Sequence, residues 1–386
     1  MFVLFEFRSK TIVNIAVLTP RNTFNRWHPF LKSIQKIFSE HNLNIFFLVS
    51  KRNMHENNLK NISPYHIFTP NLKHTALEAS SLNNLRTFFL NNKVDWVHII
   101  GEPNYLHTYN ICKLKDTFNY KVSCRMAQNV SQSWPFPFSY IEKFSLQKLD
   151  VIFPVSKLSN ELLINKKYRN RVEYLNNGVD HIAFKDQKLE KKFDLLYVGK
   201  VLERKGIYNI RSVLKDINSK KIRIAFCFSG GEEKKINEFI KSLPDMHEIT
   251  VFRNVKHKEL SQIYNSSKFL IAPSKYSDGS DWSFGKYFPF LKIKWLEQFS
   301  MVAAESMSCG VPVIHTNSGA LPEVVDNSNL MAREDDPESL KKVIEYALDL
   351  SKEEYSEMCL AAKSVAVDYR WDEISLKFLK TIRDEL

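Results

Sequence analysis

The chain has 386 residues, of which 44% are hydrophobic, and its formal net charge is +12. This length is typical of two domains, and the apolar fraction excludes a disordered chain. No apolar run reaches the ~18 residues that span a bilayer, so an integral membrane protein is not expected.

The five cysteines are widely spaced and form no Cys-x-x-Cys pair or Cys/His cluster. A disulfide framework and a structural zinc site are therefore not expected, and a reducing, cytoplasmic compartment fits best. The first ten residues contain Glu6 and lack a small-residue cleavage site. We expect them to form a strand or an ordered arm rather than a signal peptide.

The positive charge is concentrated in the first half of the chain. Residues 1–180 contain 23 Lys and Arg against 12 Asp and Glu, whereas residues 181–386 contain 32 against 31. Such asymmetry favours an anionic partner, for which nucleic acid, an anionic membrane surface and a phosphorylated substrate are the candidates. The alternative is a surface that serves only solubility.

Short apolar runs alternate with amphipathic segments through the first half. Strands are predicted at 11–18, 44–49, 95–100, 121–126 and 150–156, with helices at 27–40 and 76–92 between them. This alternation predicts a parallel sheet with helices on both faces.

A turn signal at Asn177-Gly178 opens a charged segment, 176–193, that we interpret as an interdomain linker. A second alternating set follows, with strands predicted at 194–200, 222–231, 248–255, 269–274 and 310–316 and a helix at 206–217. Residues 275–295 fit neither period and are interpreted as an insertion.

The predicted fold class is α/β, with two doubly wound Rossmann-like domains that face each other across a cleft. The predicted domains are 1–177, which binds the acceptor, and 178–370, which binds the donor. Residues 371–386 are predicted to form a C-terminal helix that packs back on the first domain. In such sheets the sites lie at the carboxyl ends of the strands, so the cleft is the expected site.

The stretch "EQFSMVAAESMSCGVPVIHT" near the C-terminal end predicts a helix over about 301–309 with Ser300 as its N-cap. The backbone amides of Met301 and Val302 then lie in the first turn, where they have no partner within the helix. That end of a helix favours an anion such as a phosphate.

Glu297 and Glu305 flank this predicted anion site at a spacing of eight residues. A carboxylate can accept hydrogen bonds from neighbouring hydroxyls of a sugar. The spacing thus fits a phosphate on the helix end and sugars on the two glutamates. The alternative is a helix-capping glutamate and an unrelated surface glutamate.

The same stretch resembles the E-x7-E signature of the large family-4 retaining glycosyltransferases, which have the GT-B fold. The matching positions are Glu297, Phe299, Glu305, Met307, Cys309, Gly310, Pro312 and Val313, and "SGALPEVV" (318–325) matches the turn that follows in that family. The segment "LLYVGKVLERKG" (195–206) is similar to the family strand that ends Gly-Arg-x-x-x-x-Lys-Gly. Lys205 stands at the family lysine, and Lys200 replaces the usual arginine.

The resemblance implies roles for these residues. Lys200 and Lys205 would neutralise the donor diphosphate, and Glu297 would act with them as a catalytic residue. Donor binding is implied for Glu305 and for the run Phe299, Ser300, Met301 and Val302. The segment 251–274 resembles the part that packs the nucleotide base, where Arg253, Asn254 and Val255 would contact the base largely through the backbone.

The first half is similar to one branch of the family at "IGEPN" (100–104) and at residues 127–150. Many members carry Gly-Gly after the first strand, whereas this chain has "TPRNTFNRW" (19–27), in which Asn22 and Thr23 are the candidates to approach the diphosphate. Candidate sugar or acceptor contacts are Glu102, His107, Gln128 and Asn129. His107 also fits a purely structural role. No general-acid role is carried over to Gln128 or Asn129, which stand where many members have a histidine.

The implied activity is transfer of a sugar from a nucleotide-diphosphate donor to a glycan, lipid-linked or protein acceptor with retention of configuration. Polysaccharide, lipopolysaccharide or glycoconjugate biosynthesis is the implied setting. The donor is a co-substrate; no cofactor and no metal ion are expected. The alternatives are a sugar-nucleotide epimerase of the same fold and, in another class, a basic nucleic-acid-binding protein, although nucleic acid is not the expected partner.

The basic first half also predicts reversible association with an anionic membrane surface on its cytoplasmic side. The aromatics of "SQSWPFPFSY" (131–140) would contribute at the interface. The cations proposed to take part are Lys143, Lys148, Lys166, Lys167, Arg169 and Arg171.

Overall fold

The computed structural model describes residues 13–20, 24–50, 59–65, 80–228, 230–279 and 292–386. Those residues form two parallel β-sheets, one of seven strands and one of six, each covered by helices. Among the described residues no helix is both long and apolar enough to cross a membrane.

The first sheet has the strand order β3-β2-β1-β4-β5-β6-β7, and all its pairs are parallel. Its strands are β1 (Asn14–Thr19), β2 (Asn44–Ser50), β3 (Ile62–Tyr65), β4 (Trp96–Ile99), β5 (Lys121–Met126), β6 (Val151–Pro154) and β7 (Arg171–Val172). Its helices are α1 (Phe24–Glu40), α2 (Leu82–Asn91), α3 (Leu106–Phe118), α4 (Phe138–Lys148) and α5 (Lys157–Asn165).

The second sheet repeats this arrangement with the order β10-β9-β8-β11-β12-β13, again parallel. Its strands are β8 (Phe193–Gly199), β9 (Arg223–Phe228), β10 (Glu248–Arg253), β11 (Ser267–Ala272), β12 (Val313–Thr316) and β13 (Met331–Ala332). The helices that follow them are α6 (Ile207–Asp216), α7 (Glu233–Lys241), α8 (His257–Asn265), α9 (Met301–Ser308), α10 (Leu321–Val325), α11 (Pro337–Asp349) and α12 (Lys352–Ala366).

The central strands are buried on both faces because helices cover each side of the sheets. β1, β4 and β6 of the first sheet are buried along nearly their whole length, which explains why they are continuous apolar runs rather than alternating ones. Strand order reverses between β1 and β4 and, in the second sheet, between β8 and β11. Those two reversals are the places where such sheets bind ligands.

The chain returns to the first domain after α12. The last helix, α13 (Trp371–Glu385), packs against α1, and its Phe378 stacks on Phe38 with ring centroids 6.0 Å apart. Trp371 contacts Trp27 and Phe30 at 5.9 and 5.5 Å between ring centroids. This helix therefore completes the core of the first domain and ties the two domains together.

The segment 176–193 connects β7 of the first sheet to β8 of the second, and part of it is packed: Val179 pairs with Arg370, and Phe184 is buried in the second-domain core. The short strands β3, β7 and β13 were not predicted, because two to four residues carry too little periodicity. Residues 1–10, expected to form a strand or an arm, lie outside the described residues, as do 280–291 of the expected insertion; Ser277 and Trp295 pair across its described ends.

Candidate active site

A cleft of about 390 Å³ separates the two domains at the carboxyl ends of β5, β8 and β11. Its described lining carries five cations and one carboxylate: Arg26, Arg125, Lys200, Arg204, Lys205 and Glu297. The cleft is therefore suited to an anion. A second cavity of about 430 Å³ lies by α9, α11 and α12, but its described lining carries Asp326, Glu354 and Glu357 and no cation.

The Lys205–Glu297 ion pair lies in this cleft. Lys205 Nζ is 2.6 Å from Glu297 Oε2, and Ser274 Oγ donates to the same oxygen at 2.8 Å. Burial opposes ionisation of Glu297, but the charge and hydrogen bond of Lys205 outweigh it and hold the pKa of Glu297 below its ordinary value. Lys205 Nζ also lies over the ring of Trp295, 4.5 Å from its centroid. The ammonium is thus held in place from two sides.

Two glycines allow the backbone to bring this pair together. Gly206 follows Lys205 with φ +66°, and a Cβ there would lie 1.7 Å from the carbonyl oxygen of Pro273. Gly319 has φ +55°, and its Cβ would lie 2.1 Å from the carbonyl oxygen of Glu297. A larger residue at either position would displace the strand end or the glutamate, which is the physical reason for glycine at these places.

The loop that carries Glu297 is hydrogen-bonded to both domains. The carbonyl oxygen of Glu297 accepts from the amide of Ala320 in the second domain and from Asn129 Nδ2 in the first, each at 2.8 Å. Asn129 was predicted to contact a sugar or the acceptor, but its side-chain amide is already engaged here. Its position therefore links the domains directly behind the glutamate.

The helix α9 begins at Met301, as predicted, and Met301 and Val302 line the cleft. Ser300 occupies the N-cap position, as predicted, with φ +67°, although its side chain makes no capping hydrogen bond. Left-handed backbone at a non-glycine residue is a strained conformation of a kind that clusters at functional sites. The first amides of α9 are thus not covered by the serine hydroxyl.

Glu305 lies one turn into α9 and differs from Glu297 in its surroundings. Its Oε2 accepts a hydrogen bond from the hydroxyl of Tyr264 at 3.1 Å. Burial raises the pKa of Glu305 to about 7, although the Tyr264 hydrogen bond and the positive charge of Arg26 oppose this rise. Two carboxylates eight residues apart therefore differ in charge near neutral pH, since Glu297 forms an ion pair with Lys205 whereas burial dominates at Glu305.

Lys200 is exposed and lines the cleft just after β8. Its carbonyl oxygen accepts from the Tyr197 hydroxyl at 2.7 Å, which holds the turn that presents the lysine. Lys200 and Lys205 are thus on the same wall of the cleft, as the sequence predicted for two cations after one strand.

The other predicted donor residues are placed differently. The side chain of Phe299 is buried against Tyr369, with ring centroids 5.1 Å apart, so it serves the core and could meet a donor only through its backbone. Arg253 pairs with Glu233 and donates to Asn237 Oδ1 at 2.8 Å. Asn254 has φ +52°, and Val255 packs on the second-domain core. Residues 253–255 lie at the carboxyl end of β10 and just after it, outside the described lining of the cleft.

The remaining first-domain candidates do not line the cleft through free polar groups. The carboxylate of Glu102 accepts from the amides of Ala127 and Gln128 at 2.8 and 3.4 Å, and Gln128 Nε2 donates to the carbonyl of Val130 at 3.0 Å. His107 is fully buried on α3, which fits the structural alternative rather than a ligand contact. Asn22 and Thr23 lie outside the described residues.

Sequence reasoning missed several residues of the cleft, namely Arg26, Arg125, Asn177, Ser274 and Trp295. Arg125 had one signal, because a cation at the end of the apolar strand β5 lies at the functional edge of a parallel sheet. Ser274 had the same signal, because it ends the strand predicted at 269–274, whereas Arg26, Asn177 and Trp295 stand in segments with no periodic pattern. Among the described residues there is no group of three or more His, Cys, Asp or Glu that could hold a metal ion.

Two doubly wound domains facing across such a cleft define the GT-B fold, and comparison with solved structures agrees. A glycosyltransferase of Rickettsia africae matches with a TM-score of 0.74 and 15% identity, covering 97% of this chain and 98% of that chain. HepE of Anabaena, solved in complex with UDP, matches with a TM-score of 0.73 and 11% identity, covering 97% and 100%. At these identities the likeness shows the fold alone.

Sequence comparison adds the class of protein. Residues 179–364 match the model of the family described as Glycosyl transferases group 1. An uncharacterized glycosyltransferase of Methanocaldococcus jannaschii, MJ1178, is 28% identical over 208 residues, covering 53% of this chain and 51% of that protein. The chain spans about half the length, or less, of the curated relatives it matches. These matches support a glycosyltransferase family.

Proposed function

We propose that this protein is a retaining glycosyltransferase of family 4 that uses a nucleotide-diphosphate sugar as donor and acts on a glycan, lipid-linked or protein acceptor. The observation that carries the proposal is the second-domain wall of the cleft. There Lys200, the Lys205–Glu297 pair and the uncapped first turn of α9 converge on one volume. That wall offers two cations and backbone amides to a diphosphate.

The size and charge of the cleft support a nucleotide sugar. A volume of about 390 Å³ lies in the range of small-molecule sites. HepE, which shares the fold, was solved in complexes with UDP and with UDP-glucose. For this chain we propose a nucleoside diphosphate of the same chemical class, with the base left open.

In the proposed reaction, the bond between the anomeric carbon and the diphosphate oxygen breaks with both electrons leaving on that oxygen. Lys200, Lys205 and the amides of Met301 and Val302 stabilise the charge that develops on the leaving group. The acceptor hydroxyl oxygen forms the new bond on the same face of the sugar. Its proton passes to the departing phosphate oxygen, so the step balances without an enzyme nucleophile.

The two glutamates would take different parts in this reaction. Glu297 is held ionised beside Lys205 and would orient that ammonium and the transferred sugar. Glu305 would accept hydrogen bonds from ribose hydroxyls. Because burial raises the pKa of Glu305 to about 7, its ability to accept two such bonds would increase as the pH rises through neutrality.

Thermal unfolding in the presence of UDP, GDP, ADP, CMP and their sugars tests the proposal. A ligand that binds only the folded protein stabilises it by mass action, by ~2.7 kcal/mol at one hundred times its Kd. One nucleotide series should stand out, and the matching sugar should be hydrolysed or transferred. Equal behaviour with every nucleotide would contradict the proposal.

For the acceptor we propose a lipid-linked sugar at an anionic membrane surface. Exposed apolar side chains support this: Phe136 and Tyr140 are 82% and 52% exposed, and Ile164 on α5 is 65% exposed. Three of the six cations expected to help are engaged with acids: Lys148 with Asp116, Lys166 with Glu142, and Arg171 with Asp384 and Glu385. The electrostatic contribution therefore rests on Lys143, Lys167 and Arg169.

A further inference from the structure

The first-domain wall of the cleft carries two guanidinium groups on one tryptophan. Arg125 Cζ lies 4.5 Å from the centroid of Trp27, and Arg26 Cζ lies 6.0 Å from it. Both arginines line the cleft. Trp27 itself is buried and packs on Phe30 and Trp371, so it forms a rigid base for the two cations.

Arg125 lacks a carboxylate partner within the described part of the chain. Its Nη2 donates to Asn177 Oδ1 at 2.5 Å, whereas its buried Nε has no hydrogen-bond acceptor among the described residues. Burial lowers the pKa of Arg125 to about 9, and repulsion from Arg26 adds to this. The carboxylate of Glu102 attracts Arg125 without forming an ion pair with it, and this attraction offsets the effect of burial only in part. A buried cation without an ion-paired counter-ion is costly, and a second cation beside it raises that cost.

The charges of the cleft exceed what a donor diphosphate would neutralise. Lys205 is already paired with Glu297, and Lys200 with the α9 amides faces the diphosphate from the second domain. Arg26 and Arg125 belong to the first domain, and Arg125 lies near the carboxyl end of β5 on the wall opposite β8. Glu297 and Glu305 attract Arg26, and Glu102 attracts Arg125, but neither arginine forms an ion pair with a described carboxylate. Two guanidinium groups thus remain on the first-domain wall without an ion-paired partner after the proposed donor has been accommodated.

We infer that Arg26 and Arg125 form a binding site for an oxyanion, a phosphate or a carboxylate, that belongs to the acceptor. The assignment of this site to the acceptor rests on the proposed function, whereas the anion site itself rests on the contacts that Arg26 and Arg125 make with Trp27 and Asn177. It restricts the acceptors of this enzyme to those that carry a negative charge near the hydroxyl that reacts.

The geometry fits such a group. A guanidinium presents its N–H groups in a planar fork that matches a carboxylate or phosphate, and the free Nε of Arg125 is one tine of that fork. Asn177 accepts from Nη2 of Arg125, which lies beside Nε on the same edge of the guanidinium, so the orientation of the guanidinium is fixed before a ligand arrives. Arg26 is exposed in the cleft and can approach the same anion from its open side.

Calorimetric titration separates this site from the donor site. The wild type, with and without the nucleoside diphosphate that stabilises it most, is titrated with inorganic phosphate, glucose 6-phosphate, glucuronate and glucose. Arg26→Gln, Arg125→Lys and the matched control Arg86→Gln are titrated in parallel, after circular dichroism has shown that each is folded. Arg86 is an exposed arginine on α2 of the first domain, away from the cleft.

We expect the wild type to bind at least one anionic probe but not glucose. Arg26→Gln and Arg125→Lys should weaken that binding at least ~10-fold, as loss of a hydrogen bond to a charged group does. Affinity for the nucleoside diphosphate should stay within ~3-fold of wild type, and Arg86→Gln should change neither affinity. Preference for glucose 6-phosphate or for glucuronate identifies the source of the charge.

Two results would overturn the inference. One is that no anionic probe binds in a way that depends on Arg26 or Arg125. The other is that both variants weaken the nucleoside diphosphate as much as the probe, since the arginines would then belong to the donor site. Failure of every nucleotide to bind would instead count against the proposed function, and the titrations without nucleotide would still decide whether the anion site exists.

Discussion

Replacing Glu305 by glutamine should stabilise the free protein in a pH-dependent way while abolishing its activity. Burial raises the pKa of this carboxyl from its ordinary value of 4.5 to about 7. Since one pKa unit corresponds to ~1.4 kcal/mol, the ionised carboxylate costs the folded state about 3 kcal/mol. Glutamine keeps the shape and can still accept from Tyr264, but it carries no charge.

The raised pKa of Glu305 determines how the free energy of unfolding changes with pH. The folded-state pKa lies above the unfolded one, so the stabilising contribution of protonated Glu305 is complete below about pH 4.5 and is lost as the pH rises through 7. Between pH 5 and pH 8 the wild type should lose about 2.5 kcal/mol from this group, by the same linkage relation. Glu305→Gln should not show that loss.

Urea unfolding at pH 5 and pH 8 measures the effect. The free energy of unfolding of Glu305→Gln relative to wild type should increase by about 2.5 kcal/mol from pH 5 to pH 8. Glu357→Gln, which makes the same chemical change at an exposed site on α12, is the matched control. A Glu305→Gln difference that is equal at the two pH values, or that falls as the pH rises, would refute the reasoning from burial.

Four further predictions concern the proposed reaction and the proposed membrane association. Lys205→Ala should lower kcat/KM at least tenfold, at least ~1.4 kcal/mol of transition-state stabilisation, and a smaller loss in steady-state assays would remove Lys205 from the diphosphate site. Nucleoside-diphosphate affinity, followed by calorimetry, should increase from pH 6 to pH 8 as Glu305 ionises, and a flat profile would contradict its role on the ribose. Activity should be unchanged by EDTA; loss of activity that Mg²⁺ or Mn²⁺ restores would argue against cations and amides as the sole diphosphate ligands. The protein should float with anionic vesicles at low salt and be released as salt rises, and Phe136→Ser/Tyr140→Ser should weaken this more than Tyr346→Ser/Leu360→Ser, which removes exposed apolar groups from the second domain.

Much of the second domain could be predicted from local sequence. The strands β8 to β12 are apolar runs bounded by turn residues, and a parallel sheet brings their carboxyl ends to one edge. Residues in the loop after a strand, such as Lys200 and Lys205 after β8, therefore lie near the first turn of α9. This position can be predicted without knowledge of long-range contacts. The start of α9 was predictable for the same reason, because a helix end and its first amides are local features.

The sequence could not predict which polar and charged side chains already have hydrogen-bond or ion-pair partners, because those partners are distant in the sequence. Asn129 and Glu102 were identified as polar residues near the carboxyl edge of the first sheet. Both side chains are hydrogen-bonded to backbone groups, and the partner of Asn129 lies 168 residues away. Likewise, the charge excess of the first half implied many free cations. Only the folded chain shows that Lys148, Lys166 and Arg171 have acidic partners.

The arrangement of the first-domain side of the cleft was decided by tertiary structure alone. Arg26 stands at the start of α1 and Arg125 at the end of β5, and nothing in their sequence surroundings relates one to the other. They meet because Trp27, packed by Trp371 of the C-terminal helix, presents a surface to both. Sequence spacing encodes what lies within one turn or one strand. The combined positive potential of two guanidinium groups at one site arises only when segments about a hundred residues apart are packed against each other.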